Sequence, residues 1–383
     1  MNKYIRLLMR NPGYLKIWLK KKVSLSPLGN IDYYFMNGKS FLPNSITLFL
    51  TYRCNLKCYM CPQALQDDDN KVKRITEVND SYSKDREMSY DEIRKIVDDV
   101  VKFKPRFYIT GGETLLHSNA IESIRYIKSK GIAVSFQTNG VLLKKYASDI
   151  VSSGVDKLIV SIDGPEAVHN SIRGVPNAFS SSTEGLKEVL KVRREMKSLT
   201  PLIEINTVIV KDNYKYLLDM INIASDIGVD ALGFQHPVFE SKENDERQYK
   251  AYLKAFNAEQ QKEGYYTSEI MEHDVNELLK MITEIKKSTA PIEISFFPNI
   301  KMEHIKPYYL DLHFPFKNRC LGPWNSCVIQ PNGDVSPCMG YVAGNIREEN
   351  LLSLWNNDKM VKFRKRIKKG LLPTCVRCCS RQY

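Results

Sequence analysis

The sequence predicts an α/β protein with parallel strands, followed by a small cysteine-rich C-terminal domain. From residue 46 onward, short runs of β-branched and aromatic residues alternate with longer helical stretches, an order typical of parallel sheets. Each short run ends in a polar or glycine-rich cluster, and from residue 318 the composition changes to Cys, Gly and Pro. We therefore expect a domain boundary near residue 318 and functional groups at the carboxyl ends of the strands.

Six short runs have the composition of β-strands. The predicted strands are residues 46–51, 106–110, 133–139, 157–163, 203–210 and 230–234. Ser89 and Glu92 form a capping box that opens the first intervening helix. The later helices begin near residues 118, 141, 180 and 213. Residues 63–87 are polar and predict a mobile loop, whereas the charged residues 240–290 predict a helical insertion or lid.

Positive charge is concentrated at the two ends of this chain, whose net charge is +12. Residues 1–45 carry eight Lys and Arg against Asp32 alone, and residues 361–383 carry eight with no acid. Apolar residues alternate with the cations near the start, which predicts a basic N-terminal helical extension over residues 1–45. Such a helix either lies on an anionic membrane surface or packs on the body with solvated lysines.

The cysteines indicate metal binding in a reducing compartment. No run of about 18 apolar residues occurs, and Lys3, Arg6 and Arg10 interrupt the N-terminal hydrophobic residues. We therefore expect an unprocessed, cytoplasmic protein. Nine cysteines in such a protein predict metal ligands rather than disulfides, and they fall into two groups, three at 54–61 and six after 319.

The first cysteine group, Cys54-Asn-Leu-Lys-Cys58-Tyr-Met-Cys61, offers three thiolates in the loop after the first predicted strand. Thiolates bind iron–sulfur clusters and zinc equally well. A structural zinc site with a fourth ligand elsewhere, or simply three buried cysteines, are the alternatives to a cluster site.

This spacing resembles the radical S-adenosylmethionine (SAM) superfamily, whose signature is C-x3-C-x2-C with an aromatic or apolar residue, here Met60, before the last cysteine. The resemblance implies a partial (β/α)6 TIM-type barrel over residues 46–317. It also implies that Cys54, Cys58 and Cys61 hold a [4Fe-4S] cluster whose open iron binds SAM. In this family the cluster cleaves SAM reductively, and the resulting 5′-deoxyadenosyl radical abstracts hydrogen from a substrate.

Three further motifs follow successive predicted strands, and a fourth comes shortly after the last of them, in the order found in this family. They are Thr110-Gly111-Gly112-Glu113, Thr138-Asn139-Gly140, Ser161-Ile162-Asp163-Gly164 and His169-x3-Arg173-Gly174. The resemblance implies that these motifs and Met60 contact SAM, with glycines admitting the methionine moiety and Arg173 pairing with its carboxylate. Alternatively, Asn139 only forms a turn, and Ser161 and Asp163 only cap the following loop. Arg173 would then belong to a surface ion pair.

The C-terminal cysteines resemble the SPASM/twitch type of iron–sulfur extension, which would occupy residues 318–383. The stretch Gln330-Pro331-Asn332-Gly333-Asp334 predicts a hairpin with a type I′ turn, which would bring the flanking cysteines together. Too few cysteines follow the C-x2-C element for two clusters, so the resemblance implies the shortened twitch form with one auxiliary [4Fe-4S] cluster. The implied ligands are Cys320, Cys338, Cys375 and Cys378. A zinc ribbon is the alternative.

Other cysteines and histidines have less specific predictions. Cys327 lies in the first arm of the predicted hairpin, where we expect a core position. Cys379 is an alternative ligand within the C-x2-C region. His236 either faces the barrel mouth and substrate or is packed and hydrogen-bonded, and we expect His304 and His313 to be structural.

The predicted function is radical SAM oxidation or epimerisation of a small hydroxylated, sugar-like substrate, with an electron donor such as flavodoxin or ferredoxin. Maturation of a ribosomally synthesised peptide is the alternative within the family. A different class, an iron–sulfur protein that binds nucleic acid or membrane, would use the basic residues 362–369. The apolar residues there have helical spacing, so we expect a solvated helix face and no nucleic-acid partner.

Overall fold

The computed structural model describes most of the chain between residues 31 and 378. The described residues are 31–61, 64–66, 72–74, 87–257, 266–267, 274–311, 314, 319–338 and 340–378. The predicted N-terminal helix before residue 31, most of the predicted loop 63–87, and both His313 and Cys379 lie outside them.

One large sheet organises the described residues. The strands in chain order are β1 (Ser45–Phe49), β2 (Ala64–Gln66), β3 (Val72–Arg74), β4 (Arg106–Thr110), β5 (Val134–Thr138), β6 (Lys157–Ser161), β7 (Leu202–Val208), β8 (Ala231–Gln235), β9 (Phe239–Glu240), β10 (Tyr266–Thr267), β11 (Glu293–Phe297), β12 (Ser326–Ile329), β13 (Asp334–Ser336) and β14 (Gly344–Asn345). The order in the large sheet is β11-β8-β7-β6-β5-β4-β1-β12-β13-β14, and all pairs from β11 to β12 are parallel. This arrangement is a partial barrel whose two edge strands stay apart.

Helices follow the parallel strands. In chain order they are α1 (Ile31–Phe35), α2 (Tyr90–Val100), α3 (Ala120–Ser129), α4 (Leu143–Ser152), α5 (Glu166–Arg173), α6 (Ala178–Glu195), α7 (Asp219–Ile227), α8 (Lys242–Phe256), α9 (Val275–Lys287), α10 (Met302–Leu310), α11 (Gly322–Asn325), α12 (Leu351–Trp355) and α13 (Asp358–Lys368). The predicted capping box opens α2, where Ser89 Oγ accepts a hydrogen bond from Glu92 N at 3.2 Å. None of the helices in the described ranges is long and apolar enough to cross a membrane.

The barrel strands alternate between a core covered by helices and the barrel interior. Ile46, Leu48 and Phe107 are 0% exposed and belong to the core cluster that includes the apolar helix residues. The residues between them, such as Tyr108, are partly exposed. Because successive strand residues point to opposite faces, these partly exposed residues line the interior.

The predicted fold class is confirmed, and all six predicted strands are present within two residues of their expected ends. A seventh parallel strand, β11, extends the barrel beside β8. Its apolar run is short and follows a long charged helical stretch, so it was not predicted. Also not predicted was α5, an eight-residue helix whose C-cap is Gly174, with a φ of 67°.

The C-terminal cysteine region continues the barrel sheet. β12 pairs in parallel with β1, from Ser45 opposite Ser326 to Leu48 opposite Ile329. Cys327 in β12 is 1% exposed, and burial raises the pKa of its thiol to about 12. Its expected core position is confirmed.

The predicted hairpin is present, but its turn is not of type I′. Only Gly333 has a positive φ, at 88°, whereas Asn332 does not. Gly333 N donates to Gln330 O at 2.9 Å, and Gln330 N donates to Asp334 O at 2.9 Å. The bond between Gly333 N and Gln330 O makes Pro331 and Asn332, rather than Asn332 and Gly333, the central residues of the turn. Pro331 keeps a negative φ, so a three-residue loop ending in a left-handed glycine forms instead.

Helix α8, within the predicted insertion, packs against the C-terminal cysteine region. Thr374 N donates to Gln248 Oε1 at 3.3 Å, and Tyr252 OH donates to Gly340 O at 3.0 Å. The Tyr252 ring also contacts that of Tyr341, with centroids 6.1 Å apart. This helix therefore supports that region as well as continuing the barrel.

Helix α13 carries the basic stretch of the C-terminal region. Its lysines are exposed while Phe363 and Ile367 are buried, which confirms the predicted solvated face. Arg364 is the exception, because its side chain is 0% exposed and its Nε donates to Pro323 O at 2.7 Å. The guanidinium also lies 4.2 Å from the centre of the Trp355 ring.

Candidate active site

The loop with the first three cysteines follows β1 at the carboxyl end of the barrel. Cys58 is 5% exposed, and Cys54 and Cys61 are partly exposed. Cys61 N donates to Cys58 O at 3.2 Å, which turns the chain between these two cysteines. The loop thus places three sulfur atoms beside the ends of the neighbouring strands, where barrel proteins bind their ligands.

Gly111 and Gly112 lie against the residues that lead into Cys54. Gly112 N donates to Thr51 O at 2.7 Å. A Cβ atom on Gly111 would lie 2.3 Å from Thr51 O, and one on Gly112 would lie 2.1 Å from Arg53 O. Close backbone packing therefore requires glycine at both positions. This packing is a second reason for glycine beside the predicted one, room for the methionine moiety of SAM, which stays a prediction.

Glu113 is fully buried and joins two strand ends to this loop. Its carboxylate accepts hydrogen bonds from Leu115 N at 3.0 Å, Thr138 Oγ1 at 2.7 Å and Asn139 N at 2.7 Å. Its own N–H donates to Arg53 O at 2.7 Å. Burial raises the pKa of this carboxyl group, and the hydrogen bonds from Asn139 and Thr138 oppose the rise. Glu113 therefore links the end of β5 to the residues that precede Cys54.

Asn139 directs its side-chain amide at the cysteine loop. Its Nδ2 lies 3.9 Å from Cys54 Sγ and donates to Asn55 Oδ1 at 2.7 Å. Gly140, the next residue, has a φ of 91°. Asn139 thus belongs to a turn, as one interpretation predicted, and also places a donor near a cysteine sulfur.

Arg173 forms a buried ion pair with Asp163. Its Nε lies 2.6 Å and its Nη2 2.5 Å from Asp163 Oδ2, while Nη1 lies 3.7 Å from Cys58 Sγ. Burial by itself would lower the pKa of Arg173, but Asp163 and Cys58 outweigh burial and raise it. The surface ion pair considered for Arg173 is therefore wrong. The guanidinium stands beside the central cysteine.

The end of α5 also holds the cysteine loop through backbone groups. Lys57 N donates to Arg173 O at 3.0 Å, and Tyr59 N donates to Ile172 O at 3.3 Å. A Cβ atom on Gly174 would lie 2.5 Å from Lys57 O. The cysteine loop is thus held on one side by the residues that follow β4 and on the other side by the end of α5.

His169 is a neutral partner within this arrangement. Its Nδ1 accepts a hydrogen bond from Asp163 N at 3.1 Å, so Nε2 carries the proton. Nε2 is buried, and no hydrogen-bond partner for it lies in the described part of the chain. Burial and the charge of Arg173 lower the pKa of His169 to about 3.

Arg53 and Glu87 are site residues that the sequence does not predict. Arg53 Nε lies 2.6 Å from Glu87 Oε1, and its Nη2 donates to Leu116 O at 2.9 Å. Thr51 Oγ1 also donates to Glu87. Glu87 ends a polar segment that reads as a loop, so nothing in the sequence indicates that it fixes the residues before Cys54.

The other predicted SAM contacts lie on strand ends or within the loop. Ser161 Oγ accepts a hydrogen bond from Gln137 Nε2 at 3.1 Å, and Thr110 O accepts one from Leu50 N at 3.1 Å. Met60 is 3% exposed and belongs to the core. Their contacts with SAM stay predictions.

The C-terminal cysteines come from three separate segments. Cys320 precedes α11, Cys338 follows β13, and Cys375 and Cys378 lie in and after the 3-10 helix Pro373–Arg377. All four are partly exposed. The second and third segments both contact α8, through the hydrogen bonds described above.

Buried side chains connect the C-x2-C element to the barrel. Arg377 is 0% exposed and its Nε donates to Tyr308 O at 2.9 Å. Tyr308 OH in turn donates to Pro237 O at 2.7 Å, beyond the end of β8. The neighbouring His236 is 1% exposed, with Nδ1 2.6 Å from Tyr309 OH. Its packed, hydrogen-bonded interpretation is confirmed.

The donor chemistry of both cysteine groups fits iron–sulfur clusters, for which thiolates are the usual ligands. Near the first group, Asn139 and Arg173 direct N–H groups at sulfur, which favours thiolates. Among the described residues no three His, Cys, Asp or Glu side chains are arranged around a single metal ion.

Comparison with known proteins identifies the family and its cofactors. The family model of the radical SAM superfamily matches residues 48–224, and that of the SPASM iron–sulfur cluster-binding domain matches residues 320–379. The chain is 30% identical over 340 residues to an AdoMet-dependent heme synthase from Methanosarcina barkeri, covering 84% of each chain. It is 26% identical over 357 residues to the tungsten-containing aldehyde ferredoxin oxidoreductase cofactor-modifying protein of Pyrococcus furiosus, covering 87% of this chain and 86% of that protein.

Solved structures agree with the fold. SuiB from Streptococcus suis superimposes with a TM-score of 0.60 at 14% identity, over 85% of this chain and 68% of SuiB. Other structures of SuiB contain S-adenosylmethionine or the precursor peptide SuiA. The cofactors of this protein are therefore SAM and iron–sulfur clusters. The barrel, the cysteine loop and these matches together show that the chain belongs to the radical SAM superfamily and carries a SPASM iron–sulfur domain.

Proposed function

We propose that this radical SAM enzyme oxidises or epimerises a small hydroxylated, sugar-like substrate bound in the barrel interior. Cys54, Cys58 and Cys61 would hold the [4Fe-4S] cluster, which when bound supplies the electron that cleaves SAM to methionine and a 5′-deoxyadenosyl radical. The four C-terminal cysteines named above would hold the auxiliary cluster.

A row of neutral polar side chains in the barrel interior carries this proposal. Tyr108 OH donates to Gln137 Oε1, and Gln137 Nε2 donates to Ser161 Oγ at 3.1 Å. Farther round the barrel, Asn206 Nδ2 donates to Gln235 Oε1 at 3.1 Å. Hydroxyl and amide side chains can both donate and accept hydrogen bonds, which is what a substrate with several hydroxyl groups needs.

On the barrel strands, the charged residues of the interior lie toward the amino-terminal ends. Lys157, the first residue of β6, pairs with Glu204 Oε2 at 2.5 Å. Arg106 is likewise the first residue of β4. The carboxyl end of the described interior therefore offers neutral hydrogen-bonding groups, which favours a neutral hydroxylated substrate over a polycarboxylate.

Arg173 would bind the SAM carboxylate in this proposal. Its Nε and Nη2 are occupied by Asp163, whereas Nη1 faces Cys58. A carboxylate bound beside Cys58 would meet Nη1 and form a charge-assisted hydrogen bond. The other oxygen of Asp163 accepts a hydrogen bond from Val208 N at 2.9 Å. This bond fixes the carboxylate, and the fixed carboxylate keeps the guanidinium in this orientation.

A second substrate class is favoured by sequence similarity. The relative at 30% identity is a heme synthase, and the similarity covers 84% of both chains. A tetrapyrrole carboxylate would then be the substrate, bound by cations outside the neutral row. Peptide maturation has no comparable support, because the likeness to SuiB at 14% identity shows only the fold.

The two classes can be separated with the reconstituted enzyme, SAM and dithionite. We expect a panel of cyclitols and aminosugars to raise 5′-deoxyadenosine release above the rate without substrate, and a deuterated substrate to transfer deuterium into it. Gln137→Leu should remove the stimulation and leave the uncoupled release unchanged. Stimulation by a tetrapyrrole carboxylate alone would replace the proposed substrate with the second one.

A further inference from the structure

An exposed aromatic surface surrounded by cations lies beside the segment that contains Cys320. Of the twelve exposed large hydrophobic residues in the described chain, five fall within residues 31–42, and Phe35 is the most exposed at 80%. Tyr34, in the same short helix α1, is 47% exposed. Aromatic residues exposed together in this way are typical of a protein interaction site.

Cations from two segments, Arg319 and helix α13, contact this helix and the residues that follow it. Arg319 Nη1 donates to Tyr34 OH at 2.7 Å, and Lys368 Nζ donates to Tyr34 O at 3.0 Å. The Lys365 stem packs at Gly38, where an added Cβ would lie 2.8 Å from Lys365 Cγ. We call Tyr34, Phe35, Arg319, Lys365 and Lys368 the basic aromatic patch.

The charge of the patch selects the kind of partner. The nearest acid in sequence, Asp32, is 4% exposed and accepts hydrogen bonds from Ser40 and from backbone N–H groups within its own segment. Residues 1–30 of this chain carry seven Lys and Arg and no acid, so the sequence before the patch supplies no negative charge. An acidic surface is the complementary partner.

The position of the patch suggests what that partner delivers. Arg319 directly precedes Cys320, and Tyr33, the neighbour of Tyr34, packs edge-on against Trp324 at 4.8 Å between ring centres. The same short segment therefore carries both a predicted ligand of the auxiliary cluster and the rim of the patch. Radical SAM chemistry consumes one electron for each SAM cleaved, and that electron must come from another molecule.

We propose that the basic aromatic patch is the docking surface for an acidic one-electron carrier protein that contains a flavin or an iron–sulfur centre. In each encounter one electron leaves the reduced carrier, which becomes oxidised by one electron, and enters the enzyme without bond formation or proton transfer. This inference rests on the proposed function, because it names the source of the electron for the same site.

Charge reversal tests the patch with a binding measurement. The variant is Lys365→Glu with Lys368→Glu, and the matched control is Lys187→Glu with Lys191→Glu on α6, which makes the same change in net charge at exposed lysines. The probes are an oxidised flavodoxin and an oxidised [2Fe-2S] ferredoxin, and their binding to the reconstituted enzyme is measured by biolayer interferometry at low and high salt. We expect Kd for at least one carrier to rise about tenfold or more in the patch variant and by less than about threefold in the control.

A second measurement separates the docking surface from the proposed function. With the reduced carrier as donor, the patch variant should need about tenfold more carrier for half-maximal 5′-deoxyadenosine release, while its dithionite-driven rate stays within about twofold of wild type. Phe35→Ser should weaken carrier binding without changing any charge, and it guards against a folding defect in the charge-reversal variant. Absence of dithionite-driven release in the wild type would contradict the proposed function, but the binding assay would still test the patch.

Three results would overturn the proposal. The first is equal carrier binding by the wild type, the patch variant and Phe35→Ser. The second is binding to vesicles containing phosphatidylserine that the patch variant loses while carrier binding stays intact, which would assign the patch to a membrane surface. The third is a wild-type dimer that the patch variant converts to a monomer with unchanged carrier binding, which would assign the patch to a second copy of the chain.

Discussion

The loop with Cys54, Cys58 and Cys61 is held mainly by backbone groups, whereas the C-terminal cysteines are held by buried side chains. On one side of the first loop, Gly112 N donates a hydrogen bond to Thr51 O and Glu113 N donates one to Arg53 O, each at 2.7 Å. In the C-terminal region the corresponding supports are the side chains of Gln248, Tyr252 and Arg377.

This difference follows from how far apart the ligands lie in the sequence. Three ligands within eight residues need one loop of defined shape, and glycines that allow close approach can provide it. Ligands drawn from residues 320, 338 and 375–378 must be assembled from distant segments, so side chains on other helices fix their positions. The shape of the first loop should therefore be sensitive to added Cβ atoms, whereas the C-terminal region should be sensitive to the loss of the side chains that support it.

The largest expected effect comes from removing the first loop's ligands. Replacement of Cys54, Cys58 and Cys61 together by Ala should remove roughly half of about eight irons per chain and abolish 5′-deoxyadenosine release, because two separate thiolate sets exist. Iron analysis and product chromatography after anaerobic reconstitution provide the measurements. Cys327→Ala is the matched control and should keep all the iron. Full iron content in the triple variant would make the ligand assignment wrong.

Removing two ligands of the second site should separate SAM cleavage from turnover. We expect Cys375→Ala with Cys378→Ala to retain slow, dithionite-driven release of 5′-deoxyadenosine while substrate conversion falls severely, because these ligands lie outside the SAM-binding barrel. Circular dichroism must first show a folded variant, since loss of a structural cluster also removes folding free energy. Loss of SAM cleavage as complete as in the triple variant would mean that the two sites are not independent. Full substrate conversion would make the second cluster purely structural.

The buried ion pair at the first site should dominate its folding stability. Arg173→Ala leaves the Asp163 carboxylate buried without its cation, which should lower the free energy of unfolding by about 3–5 kcal/mol in urea titrations. Arg125→Ala breaks an exposed pair, with Arg125 2.7 Å from Asp149, and should cost less than about 1 kcal/mol. Equal losses in the two variants would contradict the buried role. Affinity of Arg173→Ala for SAM should also fall, while its iron content should not change.

A single added methyl group tests the backbone packing of the first loop directly. Gly112→Ala places a Cβ atom 2.1 Å from Arg53 O, so the loop or the end of β4 must shift. We expect a loss of stability of about 1–3 kcal/mol, as for overpacked cores, together with weaker SAM binding. Gln248→Ala is the counterpart in the second region and should leave SAM binding unchanged. A Gly112→Ala variant with wild-type SAM affinity would show that the first loop does not depend on close backbone packing, and the proposed difference between the two sites would be wrong.

The smallest expected effect is a pH dependence due to His169. Its pKa is lowered to about 3 in the folded protein, so below the unfolded value of about 6.5 the unfolded state binds the extra proton. Stability should therefore fall by about 1 kcal/mol between pH 7 and pH 5.5 from this group. His169→Gln should show a shallower decline over this range. Identical profiles for the wild type and His169→Gln would show that His169 does not titrate on unfolding.

The sequence by itself determined the fold class, six barrel strands and the first cysteine loop, because each depends on residues close together in the chain. Strand composition and the C-x3-C-x2-C spacing are local signals. The order of motifs after successive strands adds the expectation that they meet at one end of the barrel, since parallel strands share their carboxyl edge.

Only the tertiary structure decided what the motif residues contact. In the folded protein Glu113 accepts three hydrogen bonds, and Arg173 and Arg53 form ion pairs with Asp163 and Glu87. No sequence periodicity relates these residues. The tertiary structure also added β11 and joined β12 to β1. These features depend on which distant segments share a buried environment, and burial is settled by the packing of the whole chain and not by local sequence.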